Sequence, residues 1–177
     1  MSKKILYILG IFAVILSYGF YHLLDYGLIR SITSSLPVVW LLWLAWDQLI
    51  WKIFAGARGM PPLISGLWAG KLKSSHDESI EINITFAIKQ TFSHVYLEAK
   101  TDNNSSYSIC AKWVKSSLHP VLFYIYNTKP LGGQFNKDNI QQYGGGCLYF
   151  ETLDTLVINY WTTSATVGII KLQKMLS

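Results

Sequence analysis

The segment Ser79-Ile-Glu-Ile-Asn-Ile-Thr-Phe-Ala-Ile-Lys89 alternates almost without a break: Ile80, Ile82, Ile84, Phe86 and Ile88 are apolar, while Glu81, Asn83, Thr85 and Lys89 are polar. Successive side chains of an extended strand point to opposite faces, so the pattern specifies a strand with one buried and one wet face. β-Branched and aromatic residues, which suit a pleated and half-buried surface, occupy the apolar positions. A helix would scatter the same residues around its whole circumference.

Applied outward from this segment, the same test predicts eight strands, at 66–73, 79–89, 92–101, 106–115, 121–128, 146–153, 156–162 and 166–173. Between them lie Asp102-Asn103-Asn104, a 130–139 loop containing Gly132-Gly133, and Gly144-Gly145-Gly146, which reads as a turn because no helix follows it. Residues 134–143 have room for a single helical turn. Up-and-down strands leave two open edges unless the sheet closes on itself. The expected fold is therefore all-β, an eight-stranded antiparallel up-and-down barrel, a size whose interior is filled by side chains or holds one small ligand. Segments 121–126 and 156–161 are apolar on both faces, which requires a second contact with membrane, another copy or a ligand.

Upstream of the barrel are two apolar stretches, 5–24 and 36–54, each about the 20 residues that a helix needs to cross roughly 30 Å of hydrocarbon. The chain thus divides into a transmembrane helical hairpin with its linker, 1–60, and a β-domain, 61–177. Ser34 and Ser35 are placed to cap the second helix, with Pro37 in its first turn. Gly56, Gly59, Pro61 and Pro62 end it. Lys3 and Lys4 before the first span, with Lys52 and Arg58 after the second, put both termini in the cytoplasm. A rival reading takes Lys3-Lys4, the apolar core and Ser17-Tyr18-Gly19 as a cleavable export signal, but a second full span follows. Cys110 and Cys147 fall inside strands and remain thiols in a cytoplasmic domain, whereas an exported one would let them pair.

On the second helix, Trp40, Trp43, Asp47 and Trp51 recur at spacings of three and four and share one face. A carboxylate within a span is costly unless it finds a partner. Two readings stand side by side: Asp47 reaches interfacial water or Lys52 among belt tryptophans, or the stripe is a seam through which copies self-associate in the membrane.

The net charge of +5 splits into +3 before residue 60 and +2 in the β-domain, which lacks the basic footprint of a nucleic-acid polymer binder. His22, His76, His94 and His119 show no metal spacing, and there is no nucleophile elbow, P-loop or G-x-G-x-x-G. The reading is non-enzymatic, with no catalytic residue, metal or cofactor. What stands out instead is the aromatic content of the strands. Trp68, flanked by Gly66 and Gly70, is placed to plug one barrel end. Tyr107 and Trp113 share a strand face, and Tyr160, Thr162 and Thr166 share one near a hairpin end. Tyr126 adds a stacking surface.

The two-helix hairpin, the eight strands, the opening Gly66-Leu67-Trp68-Ala69-Gly70 and the segment from Tyr160-Trp161-Thr162 to Thr166-Val167-Gly168 together resemble the two-transmembrane, β-barrel effectors of bacterial CBASS anti-phage systems. The resemblance covers nearly the whole chain, mostly as architecture. It implies a barrel that binds a cyclic dinucleotide or other cyclic oligonucleotide made by a CD-NTase enzyme. It further implies a multi-pass protein of the bacterial inner membrane that oligomerises, disrupts the lipid bilayer and aborts infection. On this resemblance the ligand candidates are Trp68, Lys71, Tyr107, Lys112, Trp113, Tyr126, Tyr160, Thr162 and Thr166. No arginine follows Arg58, so lysines such as Lys71, Lys112 and Lys171, hydroxyls and backbone N–H groups must meet the phosphates. Where relatives carry a basic residue near the 161–166 turn, this chain has Ser164. The alternative is a membrane-anchored, lipocalin-like or fatty-acid-binder-like carrier of small apolar ligands.

Overall fold

The computed structural model describes residues 3–23, 27–57, 60–75, 77–115, 120–130, 142–152 and 154–175, with 3–9, 28, 77–80 and 115 as backbone only. Gly132-Gly133 and the helical turn expected before residue 142 lie outside the described residues, as do Arg58, His76 and His119. The chain forms two compact units: Met1–Ala55 with Thr91–Ser93, and Gly56–Gln90 with His94–Ser177.

In the helical unit, α1 runs Lys3–Leu23 and α2 runs Leu28–Gln48, followed by a 3-10 helix at Ile50–Phe54. The second helix thus starts earlier and stops sooner than the 36–54 expected, and Pro37 lies inside it. The serines do not cap. Ser31 Oγ donates to the Gly27 carbonyl at 3.2 Å, Thr33 Oγ1 to that of Ile29 at 3.1 Å, and Ser35 Oγ to that of Ile32 at 2.8 Å. These hydroxyls bond back onto the preceding turn within the helix, and Pro37 leaves the Thr33 carbonyl without the N–H that a continuing helix would supply. Ser35 Oγ also lies 2.8 Å from Ser17 Oγ, a hydrogen bond that ties α1 to α2. Ile29–Gln48 is long and apolar enough to cross a membrane, and the described apolar part of α1, Gly10–Leu23, is shorter.

Among the described residues of the other unit there are eight strands: β1 Gly66–Ser74, β2 Asp77–Gln90, β3 Val95–Lys100, β4 Asn104–Lys115, β5 Pro120–Pro130, β6 Gln142–Thr152, β7 Thr155–Thr162 and β8 Val167–Lys174. Each pairs antiparallel with the next, and β8 returns to β1, so the barrel is closed as the alternation predicts. Gly144-Gly145-Gly146 is a correction. It is not a turn but part of β6, with Gly144 opposite Tyr126 and Thr162, Gly145 opposite Trp161, and Gly146 opposite Tyr124 and Tyr160. The run is strand because bulky rings on both neighbouring strands lie over it.

One end of the barrel is filled. Ile64, Leu122, Leu148, Leu156, Ile158 and Leu172 are fully buried there or along the wall, each such side chain contributing roughly 1.5–3 kcal/mol relative to exposure. Trp68 Nε1 donates to the Ile64 carbonyl at 2.9 Å, the Ile64 N–H donates to Gln90 Oε1 at 2.8 Å, and Gln90 Nε2 donates to the Pro62 carbonyl at 2.9 Å. This segment before β1 is a floor whose named polar groups are all satisfied, and Gly66, at φ +132°, takes the turn from it into the strand.

Candidate functional site: the barrel lumen and its mouth

Among the described residues, the opposite end is open. A cavity of about 190 Å³ extends down from it, with Ile84, Phe86, Leu97 and Ile170 in its lower part and Thr101, Asn104, Ser106, Thr128 and Thr162 towards the mouth. Tyr124, Tyr126 and Tyr160 stand between the two zones. Alternation explains the layering: β5 points Leu122, Tyr124, Tyr126 and Thr128 inward, a series that passes from apolar through amphipathic to hydroxyl along a single strand. At the rim, Ser106 Oγ and Thr128 Oγ1 share a hydrogen bond of 2.8 Å. Thr162 Oγ1 accepts the Thr166 N–H at 3.2 Å, closing the β7–β8 turn.

The tyrosine rings lie close to one another and to the barrel wall. Those of Tyr124 and Tyr126 have centroids 5.8 Å apart and are tilted by 39°. Tyr126 OH reaches the Trp161 carbonyl at 3.4 Å, a long bond. Burial pushes both phenols well above their ordinary 10.0, with each raised further by a neighbouring acidic group, Tyr126 beside Tyr124 and Tyr160 beside Tyr126. They are therefore neutral donors with open ring faces. Such rings bind planar, uncharged groups by stacking, and hydroxyls above them meet polar edges. At the rim, Lys129 Nζ sits 5.4 Å from the centroid of the Tyr107 ring, a cation beside the entrance.

Residues 60–174 match the family described as Cap15, cyclic dinucleotide receptor domain, a span that takes in all eight strands and the floor segment. The chain belongs to this family. A relative named CD-NTase-associated protein 15, from Staphylococcus schleiferi, is 28% identical over 151 residues, 84% of this chain and 81% of its own length. Two solved structures are similar at low identity. One is a de novo designed fluorescence-activating β-barrel, at 12% identity and a TM-score of 0.44 over 63% of this chain and 94% of its own. The other is the redesigned β-barrel mFAP1 bound to DFHBI, at 10% and 0.45 over the same shares. The Cap15 relationship makes the chain a CBASS-associated receptor for a cyclic nucleotide.

In this Cap15 barrel, Tyr126, Tyr160 and Thr162 point into the cavity and Thr166 braces Thr162 from the turn, whereas Tyr107 borders the cavity but alternates with inward Ser106 and Ser108 and so turns its ring to the outer face. The other sequence candidates are elsewhere. Trp68 is in the floor, 1% exposed. Trp113 packs against the core and does not share a face with Tyr107, because a bulge between Ser108 and Cys110 breaks the alternation between them. Lys112 is exposed on the outer face of the same strand. Lys71 is also outside and is paired with Glu81, whose carboxyl is held below its ordinary range by hydrogen bonds from Lys71 and then Lys73. A wider basin of about 1750 Å³ runs over that outer face, but its Lys71, Lys73 and Lys171 are already matched by Glu81 and Glu151. Sequence reasoning missed Tyr124, Ser106, Thr128 and Lys129. Tyr124 was legible as the residue two before Tyr126, but Ser106 and Thr128 meet only through the β4–β5 register.

The helical-unit candidates have a different fate. Asp47 Oδ1 accepts the Ser93 N–H at 2.9 Å, and the Asp47 carbonyl accepts that of Phe92 at 3.0 Å. The Phe92 ring sits 6.3, 6.1 and 6.2 Å from the rings of Trp43, Trp46 and Trp51. The Asp47 carboxylate thus has a partner that the sequence did not suggest, a backbone amide of the Thr91–Ser93 turn. Trp40 alone of the stripe remains well exposed, at 62%. Cys110 and Cys147 are free, and burial raises the thiol of Cys147.

Proposed function

We propose that this chain is a membrane-anchored effector of a CBASS anti-phage system. Its barrel receives a cyclic dinucleotide made by a CD-NTase enzyme. The bound form self-associates in the bacterial inner membrane through the helical unit, breaches the bilayer and aborts infection, with no catalytic step. The observation that carries the reading is the coincidence of the receptor-family span with a closed barrel holding one tyrosine-lined cavity open at a hydroxyl-rich mouth.

The chemistry is consistent with that ligand. Base–aromatic stacking contributes roughly 1 to 3 kcal/mol per base, and Tyr124, Tyr126 and Tyr160 offer the surfaces. Phosphates would stay at the rim, where Lys129, Ser106, Thr128 and Thr162 supply a cation and hydroxyl donors. A cavity of about 190 Å³ is smaller than the roughly 300–1,000 Å³ of most ligand pockets, so bases enter while the ring of sugars and phosphates spans the mouth. Anchoring follows from Ile29–Gln48, and both termini lie in the cytoplasm, where the messenger is made. Ligand can drive assembly only by binding the associated state more tightly, and confinement to a bilayer raises the effective concentration of partners. With Trp43, Asp47 and Trp51 engaged by Phe92 and Ser93, the self-association seam centres on exposed Trp40.

The test is calorimetric titration of the full chain in detergent with a panel of cyclic dinucleotides and trinucleotides, paired with dye release from liposomes carrying it. One panel member should bind and release dye. Co-purified lipid with no nucleotide response would instead establish the apolar-carrier reading.

A further inference from the structure

Inside the barrel, each of three tyrosines lies over a glycine on an adjacent strand. Tyr126 faces Gly144, Tyr124 faces Gly146 and Tyr160 faces Gly168. A Cβ added at Gly146 would stand 2.7 Å from two atoms of the Tyr124 ring, with no backbone atom as near. One at Gly144 would stand 2.4 Å from both the Tyr126 ring and the Trp161 carbonyl oxygen, and one at Gly168 would stand 2.5 Å from the Tyr160 ring and 2.3 Å from the Lys73 carbonyl oxygen. Real Cβ atoms do not approach so closely. None of these glycines has a positive φ, but Gly144 and Gly168 also admit the close approach of a neighbouring carbonyl, so Gly146 is the one whose obstacles are ring atoms alone. Glycine weakens a strand, and Gly146, opposite the inward-facing Tyr124, needs another cause.

The cause is space. The missing side chain leaves a bare patch of wall into which the Tyr124 ring folds back. With a Cβ present, the ring has to leave the wall, and on the inner face of a closed barrel the free direction is the cavity itself. We propose that Gly146 is a specificity-determining position. It sets the width of the lumen by letting Tyr124 lie against the wall, and thereby admits an aromatic base beside that ring. Gly145 provides the contrast within the same run: it faces outward, where a Cβ would meet the Trp161 ring at 2.3 Å. At Gly70 a Cβ would strike only the backbone of Lys171 and Leu172, so it serves the approach of β1 to β8, a role that Gly144 and Gly168 share in part.

This inference rests on the receptor reading for the identity of the guest, and the experiment separates the two. Gly146→Ala is the informative variant, because Tyr124 ring atoms are the nearest obstacles to its methyl group. Gly146→Ala, Gly145→Ala, Tyr124→Leu and the Gly146→Ala/Tyr124→Leu double variant are compared as full chains in detergent. Affinity for the cyclic dinucleotide panel is read by calorimetry, and the melting shift in benzene-saturated buffer is read alongside, since a cavity of about 150 Å³ accommodates benzene. Near-UV circular dichroism verifies folding. Gly146→Ala should lower nucleotide affinity about tenfold or more, the size of one lost base-stacking contact, and should abolish the benzene shift. The double variant should match Tyr124→Leu alone, and Gly145→Ala should match the parent. Folded Gly146→Ala with parental affinity and benzene shift would overturn the inference, as would an equal loss in Gly145→Ala. If the parent takes up benzene but no cyclic nucleotide, the receptor reading falls while a benzene shift lost only in Gly146→Ala still upholds the width control.

Discussion

Two aromatic clusters of this protein are built from similar residues and end as opposites. In the helical unit, Trp43, Trp46 and Trp51 close around Phe92, and the fit leaves Trp51 completely buried. In the barrel, Tyr124, Tyr126 and Tyr160 lie over glycines and leave a cavity of about 190 Å³ between them. The first cluster is filled by a ring from its own chain; the second keeps its ring faces open. What distinguishes a core from a site here is the residue opposite each ring: another large side chain in one case, bare backbone in the other.

The contrast is broken most directly at Trp51. Trp51→Ala removes a fully buried indole and should lower stability by roughly 3–5 kcal/mol, measured by denaturant unfolding of the full chain in detergent. A loss below about 1 kcal/mol would mean the cage is as loosely packed as the lumen.

Asp47 sharpens it. Asp47→Leu leaves the Ser93 N–H without its acceptor and should cost about 1–3 kcal/mol, with faster hydrogen exchange at the Ser93 amide. Asp47→Asn keeps an oxygen at that position and should retain most of the protection. If Asp47→Leu leaves exchange unchanged but abolishes clustering in liposomes, the carboxylate serves an intermolecular seam instead.

The smallest expected effect is alkaline. Burial raises the phenols of Tyr124 and Tyr126 above their ordinary 10.0, so the folded state prefers them protonated. Their contribution is complete below pH 10 and declines above it, because the unfolded chain ionises first. Each pH unit beyond that point should remove up to about 1.4 kcal/mol per tyrosine, and Tyr124→Phe should flatten the loss. No decline above pH 10 would show that the rings are solvated, because a phenol that ionises alike in the folded and unfolded chain leaves stability unchanged.

Much of the barrel was legible in the chain. Strand after strand alternates, turns carry Asn, Asp and Gly, and closure follows from the need to leave no edge. The expected 79–89 and 156–162 differ from Asp77–Gln90 and Thr155–Thr162 by only one or two residues at each end. The site was legible in part. Tyr126, Tyr160 and Thr162 could be named from residue type and strand face, but that Trp113 and Tyr107 fall on opposite faces could not be seen without the bulge at Ser108–Cys110. Helix limits were misjudged because Pro37 and the serines signal a start, whereas the helix continues through them with its hydroxyls bonded back to the preceding turn.

Sequence by itself determined the local periodicities: two apolar helices, eight alternating strands and an interior rich in tyrosine. Those depend on neighbours two to four residues away and are written along the chain. Only the tertiary structure decided that Gly144-Gly145-Gly146 is strand, that Asp47 holds an amide 46 residues distant, and that the lumen tyrosines rest on glycines. Such outcomes turn on which residue stands across from which, a matter of register and long-range contact that no local pattern encodes.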